Sequence, residues 1–271
     1  MVIYTLLNRA VVRVTGEDRF KFLQGLVSND VTKLTANEGL YTCMLTPQGK
    51  YFSDFFLCLD DESILLDMPT LRQEEIIKKL NMYKLRSDVS FTLCPEHKVV
   101  AFLSDVTISG IVFLDPRSSS LGMRGFIHET QLTNMQHDQN AYDLARIDNF
   151  IPEGEKDLIP EQSFLLEYGL DDLNAIDYKK GCYVGQELVA RTHYRGTIRK
   201  QIAQVESNNN LPPLGTIVYS GEQKLGIVCS SVANRGLALI RLEELQNLDK
   251  AAKITANGQE IKLKFKEHID A

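Results

Sequence analysis

No stretch of this 271-residue chain has the roughly 18 to 20 consecutive apolar residues that a membrane-spanning helix needs, so no membrane association is expected. The start, Met1 to Ala10, lacks a basic segment followed by an apolar core and a small-residue cleavage site. A cytoplasmic chain, or a mature one, is the expectation. Cysteine is sparse and odd in number: Cys43, Cys58, Cys94, Cys182 and Cys229 are dispersed. No two lie at the short spacing of a zinc or iron–sulfur ligand pair, and they form no disulfide framework. His97, His128, His137, His193 and His268 are equally scattered, so no permanent metal site is expected. Neither a phosphate loop nor G-x-G-x-x-G occurs, which disfavours a nucleotide-binding fold. Tryptophan is absent, and its absence excludes nothing.

What is present describes an ordinary folded chain. Hydrophobic content of 44% and charged content of 24% suit a soluble globular protein, and the length allows two or three domains. A strand is expected over Ala10 to Val14. A helix opens at Thr15-Gly16-Glu17-Asp18, with Phe20, Leu23 and Val27 as its core stripe and Ser28-Asn29-Asp30 as its end. Leu40 to Leu59 reads as a hairpin turning at Thr46-Pro47-Gln48-Gly49, with a third strand at Ile64 to Asp67. Thr70 and Gln73 stand at capping-box spacing before a helix whose buried stripe is Ile76, Ile77, Leu80 and Tyr83. Strand-like runs follow at Val99 to Leu103, Ile111 to Leu114 and Arg124 to Ile127, then helices over Glu129 to Asn140 and Ala141 to Ile147.

After Lys200 the pattern becomes β-rich and glycine-punctuated. Asn257-Gly258 is a strong two-residue hairpin signal, and Ile261, Leu263 and Phe265 alternate with Lys262 and Lys264. Asn208-Asn209-Asn210-Leu211-Pro212-Pro213 reads as a linker. A small C-terminal β-barrel is expected.

One stretch concentrates chemistry. From Lys179 to Lys200 there are six basic residues (Lys179, Lys180, Arg191, Arg195, Arg199, Lys200) against one acid, Glu187, in a chain of net charge −6. Within it, Gly181 and Gly185 bracket Cys182, and a helix start follows. A thiol beside lysines and near a helix N-terminus has more thiolate character. The bland alternatives are a buried cysteine packing as a small hydrophobe and a solvated charged face.

The octet K-G-C-Y-V-G-Q-E (residues 180–187) matches without a gap the K-G-C-[FY]-x-G-Q-E signature of the YgfZ family, folate-binding proteins related to the glycine-cleavage T-protein. The run from Gly16 to Val31, with F-L-Q-G and N-D-V inside it, resembles the same family's N-terminus. Arg146-Ile147-Asp148-Asn149 resembles the relatives' R-x-E-x-G, whose acid binds the pterin ring. A carboxylate suits that role because it accepts two parallel hydrogen bonds from an aminopyrimidinone. Here the acid is one methylene shorter, and Asn149 replaces the glycine.

The resemblance implies an α+β fold: a T-protein-like folate-binding body of mixed sheets and helices over residues 1–200, in two subdomains, and a β-barrel over 201–271. It implies an accessory protein that binds tetrahydrofolate or a polyglutamylated folate and supports iron–sulfur cluster assembly or repair in client enzymes, tRNA-modifying ones included. Cys182, as the functional thiol, and Lys180 would act chemically; Asp148, Arg146, Asp54, Tyr183, Gln186, Glu187 and Arg191 would hold the folate. Partners would be iron–sulfur client or assembly proteins, with the chain a monomer. The alternative is a tetrahydrofolate-dependent aminomethyltransferase. Relatives of that kind carry two adjacent aspartates in the second hairpin strand, where this chain has Ser53-Asp54, and a serine lacks the charge to stabilise an iminium cation. Direct RNA binding through the basic run is disfavoured by the overall acidity.

Overall fold

The computed structural model describes residues 4–104, 108–132, 139–248 and 252–266. The chain opens with β1 (Tyr4–Thr5), β2 (Arg9–Thr15) and a short helix α1 (Arg19–Gln24). It continues through β3 (Leu40–Leu45), β4 (Tyr51–Asp60), β5 (Ser63–Pro69), α2 (Gln73–Lys84) and β6 (Ser90–Leu93). Strands β2 to β6 form an antiparallel sheet in the order β3-β4-β5-β2-β6. Its second strand is covered on both faces, with every residue from Tyr51 to Cys58 buried, Ser53 and Asp54 included. Val12, Phe55 and Leu66 pack on one face with Leu23 of α1 and with Ile76 and Leu80 of α2. Tyr41, Cys43 and Phe56 pack on the other, in the main core.

That second face meets another antiparallel sheet. It is built from β1, β7 (His97–Phe102), β8 (Ile111–Leu114) and β9 (Met123–His128), in the order β1-β7-β9-β8. Helix α3 (Gln139–Asp148) contributes Tyr142 and Ile147 to the same core. A one-turn helix α4 (Gly154–Asp157) and helix α5 (Gln186–Arg195) complete the body. The barrel comprises β10 (Lys200–Ser207), β11 (Ile217–Ser220), β12 (Gln223–Val232), β13 (Arg235–Arg241), a short α6 (Leu242–Gln246), β14 (Ile254–Ala256) and β15 (Gln259–Phe265). It closes in the order β10-β13-β12-β11-β14-β15. Asn257 (φ 49°) and Gly258 (φ 76°) both lie in the left-handed region, the geometry of the tight hairpin turn that joins twisted strands.

Several local expectations need correction. Helix α1 ends at Gln24 rather than at Ser28, because Gly25 caps it and the next residues bond elsewhere, as shown below. No capping box forms: Thr70 begins a separate 3-10 turn, and α2 starts at Gln73 without a side-chain cap. The run 208–213 is not an interdomain linker. It joins β10 to β11 inside the barrel, and Leu211 is buried in the barrel's core. Of the helix expected over Glu129 to Asn140, residues 129–131 form a 3-10 turn, Gln139 and Asn140 begin α3, and 133–138 lie outside the described residues.

The two sheets of the body are joined by buried charge. Asp67 on β5 accepts from Arg9 Nε at 2.5 Å and from Arg124 Nη2 and Nε at 2.5 and 2.9 Å. All three side chains are at most 1% exposed. The Arg124 guanidinium lies 3.8 Å from the centre of the Phe56 ring, so the cation also faces a π-system. Removing one partner of such a pair leaves an uncompensated buried charge. Arg124→Met is therefore expected to cost about 3–5 kcal/mol, read as a fall in the denaturant midpoint. A loss under about 1 kcal/mol would show that Arg9 alone satisfies Asp67.

Candidate functional site

The octet 180–187 is a loop clamped at both ends. Lys180 is buried, and its ammonium donates to three carbonyls: Gln24 O at 2.9 Å, Val27 O at 2.6 Å and Asn29 O at 2.8 Å. An ammonium has three donors, and all are used on the last residue of α1 and the turn that follows it. The same turn is bonded along its length to the chain ahead of the octet. Asn29 Nδ2 donates to Asn174 O and Ser28 Oγ to Ala175 O, both at 2.6 Å, and Asp177 N donates to Ser28 O at 3.1 Å. Val184 N then reaches Gly25 O at 3.3 Å. Two widely separated sequence motifs, F-L-Q-G…N-D-V and K-G-C-Y-V-G-Q-E, thus form one hydrogen-bonded unit.

The downstream clamp is steric. Gly185 has φ +82° and caps α5. A Cβ on it would lie 2.5 Å from Thr46 O and 3.1 Å from Gly49 Cα, and one on Gly49 (φ +71°) would lie 3.0 Å from Gly185 O. Only glycine at both positions permits this approach of α5 to the β3–β4 turn. A Cβ on Gly181, by contrast, would meet nothing within 4 Å.

Between the clamps Cys182 is exposed, while Cys43, Cys58, Cys94 and Cys229 are buried. Burial pushes the thiols of Cys43, Cys58 and Cys229 well up, leaving them neutral and inert. Lys180 does not stand beside the Cys182 thiol as a chemical partner. Burial lowers its pKa to about 8, Asp30 and Asp177 pulling the other way, and its role is to fix the loop. Gln186 Oε1 accepts from Tyr183 N at 3.0 Å, and the Tyr183 ring lies 5.0 Å from Lys180 Nζ. These two residues shape the loop. Glu187 and Arg191 pair with each other at 2.5 Å on the exposed face of α5. The basic run is thereby divided: Lys180 is internal, Arg191 faces Glu187, Lys200 pairs with Glu167 at 3.3 Å, and Lys179, Arg195 and Arg199 remain exposed.

The other expected ligands go elsewhere. Asp148 is exposed at the end of α3, and both its oxygens accept from Arg235 Nη1 of the barrel at 2.8 Å. It ties body to barrel rather than facing the interior. Arg146 is buried and bonded to Asp143 at 2.7 Å and Asp157 at 2.8 Å, an internal strut. Asp54 is buried between Arg9 Nη1 at 3.2 Å and Tyr51 OH at 3.0 Å. Ser53 pairs with Met44, so it lies on the helix-covered side of the sheet, opposite Asp54.

An acid that the sequence reading passed over is better placed. Glu153 is 1% exposed, and neither of its carboxylate oxygens receives a hydrogen bond; the same holds for the buried Tyr41 hydroxyl and Arg117 Nη1. Lys156 Nζ is an ion-pair neighbour at 3.0 Å. Burial opposes ionisation of Glu153, but Lys156, Arg146, Arg117 and Arg9 outweigh it and hold its pKa well below the usual carboxylate range. The signal lay in Ile151-Pro152-Glu153, immediately after the segment that was read. A separate cavity of about 350 Å³ lies under α5, lined by Gly49, Phe164, Leu188, Thr192 and Arg199 among others.

Comparison with known proteins fits this geometry. The family described as the C-terminal β-barrel domain of CAF17 matches residues 199–268. The chain is 37% identical over 219 residues to the mitochondrial iron–sulfur cluster assembly factor IBA57 homolog of Mycosarcoma maydis, covering 72% of this chain and 54% of that protein. It is 31% identical over 226 residues to the same-named protein of Neurospora crassa, covering 73% and 52%. The chain thus spans about half the length of these two relatives. With the homolog from Coccidioides immitis it shares 27% identity, over 98% of this chain and 78% of that one. Among solved structures, the glycine cleavage system aminomethyltransferase T of Bartonella henselae superposes with a TM-score of 0.71, covering 98% of this chain and 85% of that chain at 12% identity. At that identity the likeness concerns the fold alone.

The chain's C-terminal residues match the CAF17 β-barrel family, and over most of its length the chain is similar to proteins named as IBA57 homologs, in line with the YgfZ resemblance. The expectation of a cytoplasmic protein is overturned by these comparisons: the IBA57 relatives are named as mitochondrial, which points to that organelle. The earlier inference rested on a missing targeting segment, and such an absence specifies no compartment.

Two outcomes follow for the octet. Gly185→Ala is expected to destabilise by roughly 1–3 kcal/mol through overpacking and left-handed strain, while Gly181→Ala changes the melting temperature little. Equal effects would refute the steric clamp. Lys180→Met is expected to destabilise because three carbonyls lose their donor. The folded amine titrates near 8 and the unfolded one near 10.5, so between those values the unfolded chain binds more protons and stability rises with pH. The gap between wild type and Lys180→Met should accordingly widen from pH 8 to 10.5. A flat difference would show that burial does not perturb the amine.

Proposed function

We propose that the chain is an iron–sulfur cluster assembly factor whose working group is Cys182, presented to a partner protein by a rigid loop. One observation carries this: of five cysteines only Cys182 is exposed, and it sits where Lys180 and Gly185 fix the backbone on either side. The names of the relatives support the assembly role. Among the described residues Cys182 belongs to no group of His, Cys, Asp or Glu able to hold a metal ion. Iron or a cluster at this thiol is therefore shared with a second molecule that supplies the remaining ligands. The expected clients, tRNA-modifying enzymes included, are iron–sulfur proteins of that kind, and that part rests on the family resemblance.

Folate belongs to the same proposal, with a changed set of residues. Asp148 and Arg146 do not fit a pterin, since one faces solvent and the barrel and the other is saturated internally. Glu153 is the better candidate: a buried carboxylate whose oxygens receive no hydrogen bond, though Oε2 is ion-paired with Lys156, suits the paired donors of an aminopyrimidinone. Tyr41 and Arg117 offer further polar atoms. Bound folate would supply a pterin edge for Glu153 to orient, and the exposed Lys179, Arg195 and Arg199 would favour a polyglutamate tail. Aminomethyl transfer is the less supported reading. The Asp54 carboxylate is already engaged by Arg9 and Tyr51, and Ser53 lies on the opposite side of the sheet.

Three measurements test these readings. Cys182 is expected to alkylate faster than the other four thiols at neutral pH, and Cys182→Ser to keep its fold but fail to support iron–sulfur enzymes in cells lacking the native protein. A fully active serine variant would end the thiol reading. In calorimetry with tetrahydrofolate, Glu153→Gln should weaken binding by about 1–3 kcal/mol, whereas Asp148→Ala should leave it unchanged; the opposite ranking would restore Asp148. Supplied with an aminomethylated lipoyl carrier and tetrahydrofolate, the protein should release no ammonia above background, and turnover would establish the transferase.

A further inference from the structure

We propose that the turn Cys94-Pro95-Glu96-His97, which carries the chain from the five-stranded to the four-stranded sheet, binds a divalent transition-metal cation of the Zn²⁺ type. The turn is tightly built. His97 N donates to Cys94 O at 3.0 Å, with proline at the second position, where its fixed φ suits a reverse turn. Cys94 N is held by Val11 O at 2.9 Å, Glu129 N donates to Glu96 O at 2.8 Å, and Lys98 Nζ donates to Pro95 O at 2.7 Å. Both sheets thus hold it in place.

This fixed turn brings a thiol sulfur, a carboxylate oxygen and an imidazole nitrogen within 4.8 Å of one another. Ligands at zinc bond lengths sit about 3.3–3.6 Å apart around a tetrahedron, so closure onto a cation needs a side-chain shift of about 1 Å. The donor set of one thiolate, one imidazole and one carboxylate suits zinc and its neighbours rather than calcium or magnesium. Cys94 is 4% exposed, while Glu96 and His97 are half-exposed, which leaves a way in from solvent. Three protein ligands leave the fourth position for water, as in zinc sites that meet an outside ligand.

The surroundings agree with this assignment. Glu96 Oε1 already lies 3.1 Å from His97 Nδ1, so two ligands are paired without metal. The sulfur makes only a long contact, 3.6 Å to Thr92 O, and the Arg13 guanidinium also interacts with it. Arg13 in turn pairs with Asp60, which keeps the local charge balanced. His128, opposite His97 in the ladder, stands edge-on with ring centres 5.9 Å apart. A turn that served only to connect two sheets would have no need of a buried sulfur beside a Glu–His pair. Sequence reading compared cysteines with cysteines and histidines with histidines, so a mixed pair three residues apart escaped it.

The test is a Co²⁺ titration of the full chain. One equivalent is expected to bind with a thiolate-to-cobalt charge-transfer band, and one equivalent of Zn²⁺ to remove it. Cys94→Ser should abolish the band and Cys182→Ser should leave it. His97→Ala and Glu96→Gln, at half-exposed turn positions, should each weaken binding at least about tenfold, measured against a competing chelator. A band that survives Cys94→Ser, a band lost in Cys182→Ser, or no band at one equivalent overturns the proposal. Should Cys94→Ser fail to fold, unchanged cobalt affinity in both turn variants overturns it as well.

Discussion

A lysine ammonium driven into the end of a helix is the constraint from which this site follows. Burying it is unfavourable unless every N–H finds an acceptor, and the carbonyls of Gln24, Val27 and Asn29 supply three. The Gln24 carbonyl is free because α1 stops after six residues and a helix end leaves acceptors unpaired; Val27 and Asn29 belong to the turn beyond it. The short helix and the lysine complete each other. With Lys180 fixed, the next two residues have no route inward: Gly181 faces open space and Cys182 faces solvent. The exposure of the thiol is thus a consequence of how its neighbour is buried.

A second set of charges determines what the body can contain. Asp67, Arg9 and Arg124 join the two sheets with all three side chains out of water. Arg117 is held on Asp115 at 2.7 Å and on the Tyr142 hydroxyl at 2.7 Å. Replacing such ion networks with apolar side chains is often neutral or stabilising, so stability alone does not account for them. Four cations also act on one further acid: Lys156, Arg146, Arg117 and Arg9 together hold the pKa of Glu153 below the usual carboxylate range against its burial. Its Oε2 is ion-paired with Lys156 at 3.0 Å, and Oε1 receives no hydrogen bond, which is why the proposed folate reading turns on this acid.

The legibility of the chain divides along the same line. Periodicity and turn chemistry reveal the hairpin of β3 and β4, the amphipathic α2 and the Asn257-Gly258 turn, because each depends on neighbours within a few residues. Cys182 was singled out through an eight-residue signature, and it is the exposed cysteine of the five. The partners of charged side chains were not legible. Arg146 and Asp148 are two residues apart, yet one is an internal strut and the other meets Arg235 in a strand that lies 87 residues further on. A helix turns its successive residues to different surroundings, and no local pattern tells which of them faces a second domain. Lys180 misled for a related reason: adjacency to Cys182 in sequence implied an electrostatic partner, whereas the side chain points to residues more than 150 positions away.

The same reasoning separates the two cysteines on which the proposals rest. Cys94 is buried in a turn held by both sheets, and Glu96 and His97 come with it, so a cation there can be held by this chain alone. Cys182 has no such company among the described residues. A single thiolate in water binds a metal weakly, because water competes for the other positions and no chelate lowers the entropic cost. Its affinity becomes useful only when a second protein brings more ligands to the same ion. Rigidity then matters more than intrinsic strength: a loop pinned by three carbonyls and by the Gly49–Gly185 contact loses little freedom on docking, and preorganisation of that kind raises affinity without a new contact. Under the proposed assembly role, the fold supplies to Cys182 what a lone ligand lacks, a fixed position, and a partner would complete the coordination.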